Sequence, residues 1–205
     1  MNPSPAERLR ALFEQILGES EPSPPMSELV ARLDAWLSRH RPTYYAELRP
    51  GLTAEELAAF EAQLGVPLTD SLRVLYSWRD GHSSERIASF HGNRTWMTSA
   101  EVTSTKQLID SMIDFDFEPG WWERSWIPFL HNGAGSYLCV DTAGTPAGSP
   151  GQLVEFWNRD PDRPVVRPSL EHWLHQFVAS LERDTWAETK HGFECVARAE
   201  FGSGT

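Results

Sequence analysis

Cysteine is scarce in this 205-residue chain: there are two, Cys139 and Cys195, and no Cys-x-x-Cys pair. That pattern excludes a disulfide framework and argues against a structural zinc site. Long apolar runs are missing as well. No stretch approaches the roughly 18 apolar residues of a membrane-spanning helix. The N-terminal MNPSPAERLRALFEQILGESE breaks its apolar residues with charge at every turn, so no signal peptide is predicted and the expected location is the cytoplasm. Positive charge is also short, 18 Lys and Arg against 29 Asp and Glu, which leaves a formal net charge of −11. A surface this acidic repels phosphate backbones and argues against a nucleic-acid partner. It suits a basic protein partner, or it serves only to keep the chain in solution.

Aromatic residues, by contrast, are plentiful, with 9 Trp and 10 Phe. A chain of this length buries roughly 70% of its unfolded surface and needs no metal to fold. Ser4-Pro5-Ala6-Glu7 is a capping box that opens a helix closed by Gly18, and ESEPSPP (19–25) reads as a linker. Ser27 is expected to cap a helix whose stripe is Leu29, Leu33, Trp36 and Leu37. Thr53 to Glu56 is a second capping box, before Leu57, Phe60 and Leu64, with Gly65 as the stop. A shorter helix from Asp70 carries Leu72, Leu75 and Tyr76 and is expected to run to Asp80-Gly81. A strand or two fall within 86–98, around Phe90 and Trp96. Thr98 to Glu101 is a third capping box, with Val102, Leu108, Ile109 and Met112 as the buried side of its helix.

After residue 120 the pattern shortens to β runs. Trp126–Leu130 has a proline suited to an edge or a bulge. Tyr137–Val140, Leu153–Trp157 and Val165–Val166 follow, and then a helix capped by Ser169 that carries Leu170, Trp173, Leu174, Phe177 and Leu181. Helices, then strands, then one closing helix predict an α+β fold: a single domain with a central, mainly antiparallel sheet, helices packed around it and an N-terminal helical extension.

Three clusters invite a chemical reading. In HNGAGSYLCVD (131–141), Asn132-Gly133 between two apolar runs signals a hairpin. A phosphate loop would need a helix N-terminus after its glycines, where a strand follows instead. Cys139 and Asp141 share one strand face and could face His131 across the hairpin, but Cys139 between Leu138 and Val140 reads as a buried small hydrophobe. His172 and His175, three apart on the closing helix, are read as solvent-facing and lack the further ligands of a metal site. Asp160 and Asp162, separated by Pro161 and flanked by Arg159 and Arg163, read as a charged loop. No cofactor, no metal and no catalytic set is expected.

The segment DFDFEPGWWER (114–124) differs. Asp114, Asp116, Glu118 and Glu123 interleave with Phe115, Phe117, Trp121 and Trp122. Aromatic anchors within an acidic rim suit a protein interface, with Asp114, Asp116, Glu118, Trp121, Trp122 and Glu123 as its residues. The competing reading is that these aromatics cover the sheet from a loop.

The order WIPFLHNGAGSYLCVD, TPAGSPGQLVEFWNRD, SLEHWLHQFVASLE resembles the core of the SUKH superfamily, which joins fungal Smi/Knr-type cell-wall-assembly regulators with bacterial toxin-immunity proteins. Upstream, LRPGLTAEELAAFEAQLG, SLRVLYSWRDG and DAWLSRHRP fit as well. Val66-Pro67-Leu68-Thr69 departs from the family, which has Leu-Pro directly before the second helix. The resemblance divides the chain into an N-terminal helix and linker (1–25), a SUKH-like domain (26–183) and a C-terminal extension (184–205). It implies a non-catalytic, protein-binding domain. The first expectation is an immunity protein neutralising a cognate, basic polymorphic toxin, because the chain is short beside the long-armed fungal regulators. The alternative is a regulatory scaffold in cell-wall assembly or signalling.

Overall fold

The computed structural model describes residues 23–82, 88–113, 115, 117–145 and 148–196. The helix expected over 4–18 and the first part of the linker lie outside them. Helix α1 (Met26–His40) starts one residue ahead of Ser27, with Pro25 at its cap position and no side-chain cap. Ser27 is therefore an exposed first-turn residue, because the carbonyl of Pro25 already accepts from Glu28 and Leu29. Leu29, Leu33 and Leu37 are fully buried, as the stripe predicts, and Trp36 packs half-buried at its margin.

A short helix α2 (Pro42–Ala46) leads to strand β1 (Leu48–Pro50). Helix α3 (Ala54–Leu64) has its full capping box, Thr53 accepting from the Glu56 N–H and Glu56 accepting from that of Thr53, and ends at Gly65 with φ 69°. Helix α4 (Asp70–Trp78) stops earlier than expected, because Arg79–His82 is strand β2, paired antiparallel with β1. Gly81 makes this possible: its φ is 68°, and a Cβ there would lie 2.5 Å from the Met97 carbonyl oxygen.

Strand β3 (Thr95–Trp96) precedes helix α5 (Ser99–Met112), which Thr98 and Glu101 cap reciprocally as predicted. Its buried side is Val102, Thr103, Lys106 and Ile109. Leu108, expected inside, is 61% exposed. The helix is rotated so that Lys106 points inward, for a reason given below.

Strands β4 (Trp126–His131), β5 (Tyr137–Asp141), β6 (Leu153–Phe156) and β7 (Val165–Arg167) join β3 in one antiparallel sheet of order β3-β4-β5-β6-β7. Pro128, lacking an N–H, sits where the β4–β5 register shifts, so the proline marks a bulge in an inner strand. Helix α6 (Leu170–Leu181) is capped by Ser169. The hairpin β8 (Trp186–Thr189) and β9 (Gly192–Cys195) then brings Trp186 and Phe193 into the main core.

Alternation sorts the sheet residues onto two faces. Ile127, Leu138, Val140 and Leu153 join the large cluster with α1, α3, α4 and α6. Trp126, Cys139, Val154 and Phe156 form a smaller cluster with Ile109 and Trp122. The fold is α+β, with helices packed around a mainly antiparallel sheet, as expected.

At the end of β5, fully buried Asp141 accepts five hydrogen bonds. They come from Ser125 Oγ (2.9 Å) and the Ala143 N–H (3.0 Å) at Oδ1, and from the Thr145 N–H (2.6 Å), Thr145 Oγ (3.1 Å) and Gln152 Nε2 (2.9 Å) at Oδ2. Burial works against the charged carboxylate, but these donors outweigh it and hold its pKa below the ordinary Asp value. A depressed folded-state pKa stabilises the fold fully above the ordinary Asp value, about 3.9, and that contribution is lost as pH falls through the lowered value. Asp141→Asn should therefore cost about 2 kcal/mol at neutral pH by leaving donors unmatched. Urea denaturation at a series of pH values should show the gap to wild type closing in acid.

Candidate functional site

The His131–Asp141 stretch is a hairpin turn. Asn132 Oδ1 accepts from the N–H groups of Ala134 (2.9 Å) and Ser136 (3.1 Å), and Gly133 and Gly135 take the positive φ values. Its three reactive side chains have separate roles. The Gly133 N–H donates to His131 Nδ1 at 3.0 Å, and burial lowers the pKa of that histidine. Cys139 is fully buried among Trp122, Trp126 and Val154, and burial pushes its thiol pKa well up, which disfavours the thiolate. Asp141 is held by its five donors. On the closing helix, His172 and His175 are both half-buried, further in than expected, and His172 Nε2 is hydrogen-bonded to Gln176 at 2.8 Å. Among the described residues no group of three His, Cys, Asp or Glu could hold a metal ion.

The segment after α5 closes the smaller face of the sheet. Lys106 is 1% exposed, and its Nζ donates to Asp110 Oδ2 and to the Arg124 carbonyl, each at 2.6 Å. Asp110 Oδ1 in turn accepts from Trp122 Nε1 at 2.8 Å. This chain of charged and polar contacts is what turns Lys106 inward and Leu108 outward. It also seats the Trp122 ring edge-on to Trp126 and Phe156, with centroids 5.5 and 5.2 Å away. Trp122 is thus 3% exposed, a packing residue and not the surface anchor expected of it. The cause is its indole N–H, which reaches the half-buried Asp110 carboxylate from the inner side.

The other expected interface residues lie differently. Trp121 is half-buried, with Arg163 stacked 4.6 Å from its centroid and donating to its carbonyl at 2.8 Å. Glu118 is exposed and Glu123 half-buried. Asp114 and Asp116 lie outside the described residues. Phe115, named among the aromatics of this segment but not among its interface residues, is 88% exposed. Lys106 and Asp110 were also missed. Their spacing of four is what an ordinary solvent-facing pair shows, and only the inward aromatic cluster distinguishes them.

A concavity of about 710 Å³ lies between the start of α2, residues 88–93 and the β8–β9 hairpin. At its base Arg41 is held between the rings of Tyr44 and Phe193, 4.1 and 4.0 Å from their centroids, and donates to the Ser89 carbonyl and to Glu188. These contacts fasten the hairpin to the body of the fold.

Comparison with known proteins gives one family: residues 51–176 match the SMI1 / KNR4 family (SUKH-1). Curated relatives include KNR4/SMI1 homolog 2 of Debaryomyces hansenii, 22% identical over 78% of this chain and 36% of its own length. The cell wall biosynthesis/cell cycle regulator smi1 of Schizosaccharomyces pombe is 24% identical over 82% of this chain and 38% of its own. A glucan synthesis regulatory protein of Neurospora crassa is 22% identical over 76% and 38%. The chain thus spans well under half the length of these relatives.

The seat of Trp122 can be tested without reference to function. Trp122→Ala should destabilise the protein by about 3–5 kcal/mol through the cavity it leaves. Trp122→Phe should cost less, since the ring packing survives and only the bond to Asp110 is lost. Chemical denaturation followed by circular dichroism orders the two. Equal stability of Trp122→Ala and wild type would contradict the packing role.

Proposed function

The chain belongs to the SMI1 / KNR4 family (SUKH-1), and on that premise we propose that it is a non-catalytic, protein-binding domain acting as a regulatory scaffold in cell-wall synthesis. The observation that carries this reading is the agreement among its relatives, two of which are named for regulating cell-wall biosynthesis and glucan synthesis. The use made of the reactive residues supports it too: the Cys139 thiol is buried with a raised pKa, and Asp141 is saturated by structural donors. Among the described residues no helix is long and apolar enough to cross a membrane.

A second reading, an immunity protein that neutralises a basic toxin, is favoured by one observation, the net charge of −11. Opposite fields speed the encounter of such pairs and select their orientation.

Deleting the gene from its host should sensitise cells to wall-binding dyes. The wild-type gene and Cys139→Ala should restore resistance equally. Failure of a stably folded Cys139→Ala to restore it would argue for catalysis. Unchanged dye resistance, together with rescue of growth when the chain is co-expressed with a toxin encoded beside it, would replace the regulatory reading with the immunity one.

A further inference from the structure

Among the described residues the large apolar side chains left exposed are Leu108, Phe115, Val165 and Val196. Isolated exposed apolar residues are ordinary, but the two most exposed, Phe115 at 88% and Leu108 at 61%, belong to one stretch of surface. Leu108 and Met112 are neighbours one helical turn apart on α5. The Met112 carbonyl accepts from the N–H groups of Phe115 (3.2 Å) and Phe117 (3.3 Å), so the chain folds back beside that turn. Phe117 then leans toward Trp121, with centroids 6.3 Å apart. The result is an apolar ridge whose exposed residues are Leu108 and Phe115, with Met112, Phe117 and Trp121 half-buried beside them and the last two packed against the smaller core. Its base is held by the Lys106–Asp110–Trp122 contacts.

The segment that forms this ridge carries charge of one sign. From Gln107 to Glu123 the sequence holds Asp110, Asp114, Asp116, Glu118 and Glu123 and no Lys or Arg. Exposed Asp160 and Asp162 lie in the loop that carries Arg163 to Trp121. The nearby cations are in part committed: Arg163 is stacked on Trp121 and Phe156 and donates to backbone carbonyls, and Arg124 donates to the Asp110 carbonyl. Arg159 is exposed beside Asp160.

We propose that this ridge is a docking surface for a basic, amphipathic segment of a partner protein, whose apolar residues cover Leu108 and Phe115 while its lysines or arginines meet Glu118 and the neighbouring carboxylates. The inference rests on the protein-binding reading above and specifies the surface and the chemistry of its partner. Exposed apolar patches flanked by polar residues mark interaction sites, and rim charges steer encounter.

The test uses the full chain and a fluorescent, helical peptide of leucine and lysine with one apolar face. Two controls accompany it, a leucine–glutamate peptide of the same pattern and a lysine peptide without leucine. Fluorescence anisotropy should show binding of the first peptide alone. The double substitution Leu108→Ser, Phe115→Ser, both on the surface and so expected to fold, should weaken that binding about tenfold or more. Glu118→Gln should mainly slow association, and most at low salt. Unchanged affinity in the folded double variant would overturn the proposal, as would equal binding of the glutamate peptide. Sedimentation velocity showing that the wild type dimerises and the double variant does not would assign the ridge to a second copy of this chain and overturn it too. If the double variant binds the peptide like wild type and still restores dye resistance in cells, this inference falls while the regulatory reading stands. If deletion of the gene has no wall phenotype, that reading falls and the peptide titration judges the ridge alone.

Discussion

One buried carboxylate holds the middle of the sheet in register. Asp141 ends β5, and its side chain collects donors from the residue before β4, from the turn after β5 and from Gln152 at the start of β6. The backbone doubles the connection: the Asp141 N–H donates to the Gln152 carbonyl at 2.9 Å, and the Gly151 N–H donates to that of Asp141 at 2.7 Å. A charge so enclosed is tolerable only with its lone pairs matched, which requires the three strands to stop together. Gln152 is itself enclosed, its amide donating to the Thr145 carbonyl at 2.9 Å. Any Cβ at Gly148 would fall 1.6 Å from its side-chain oxygen. Three sequence features thus become one device: an aspartate-ended strand, a glycine in the following loop and a glycine–glutamine strand start.

With the strands fixed, the sheet presents two apolar faces, and each has to be covered. Helices α1, α3, α4 and α6 supply most of the cluster on the larger face, with Tyr44 of α2 and Val102 of α5, and the β8–β9 hairpin is tied on through Arg41. Among the described residues the smaller face is covered by the inner side of α5 and the loop after it. A loop has no regular apolar stripe, so this cover depends on individual aromatic residues positioned by polar contacts, Trp122 on Asp110 and Trp121 under Arg163. The same arrangement leaves an apolar ridge outside. The ion pair of buried Lys106 with Asp110 rotates α5 so that Lys106 faces in and Leu108 faces out, and the turn onto Met112 carries Phe115 into solvent. Stability on the inner side and recognition on the outer side come from neighbouring residues of one segment.

That juxtaposition accounts for the mixed outcome of reading 114–124 as an interface. Trp121 and Trp122 look alike in sequence, both rich in apolar area and both flanked by acids. One indole finds the half-buried Asp110 carboxylate and becomes core; the other is half-covered by an arginine. Phe115 carries no polar handle that would seat it, and it is the residue that projects. The family match spans residues 51–176, which include both the Asp141 device and this segment.

What the sequence determined by itself is whatever depends on near neighbours. The Thr53 and Thr98 capping boxes, the Ser169 cap, the Asn132-Gly133 hairpin and the α1 stripe follow from hydrogen bonds and periodicities spanning a few residues, and all stand in the structure. The α+β class followed from their order. Tertiary structure decided what depends on partners far along the chain. The end of α4 was set by β2 pairing with β1, and Gly81 permits the close pass. The hairpin at 186–195 is fixed by Phe193 and by Arg41, which donates to Glu188 across 147 positions. The facing of α5 was decided against its apolar pattern by a lysine that found a carboxylate and a carbonyl inside. Periodicity assigns a helix face by hydrophobicity alone, whereas a buried charge chooses the side on which its partners lie.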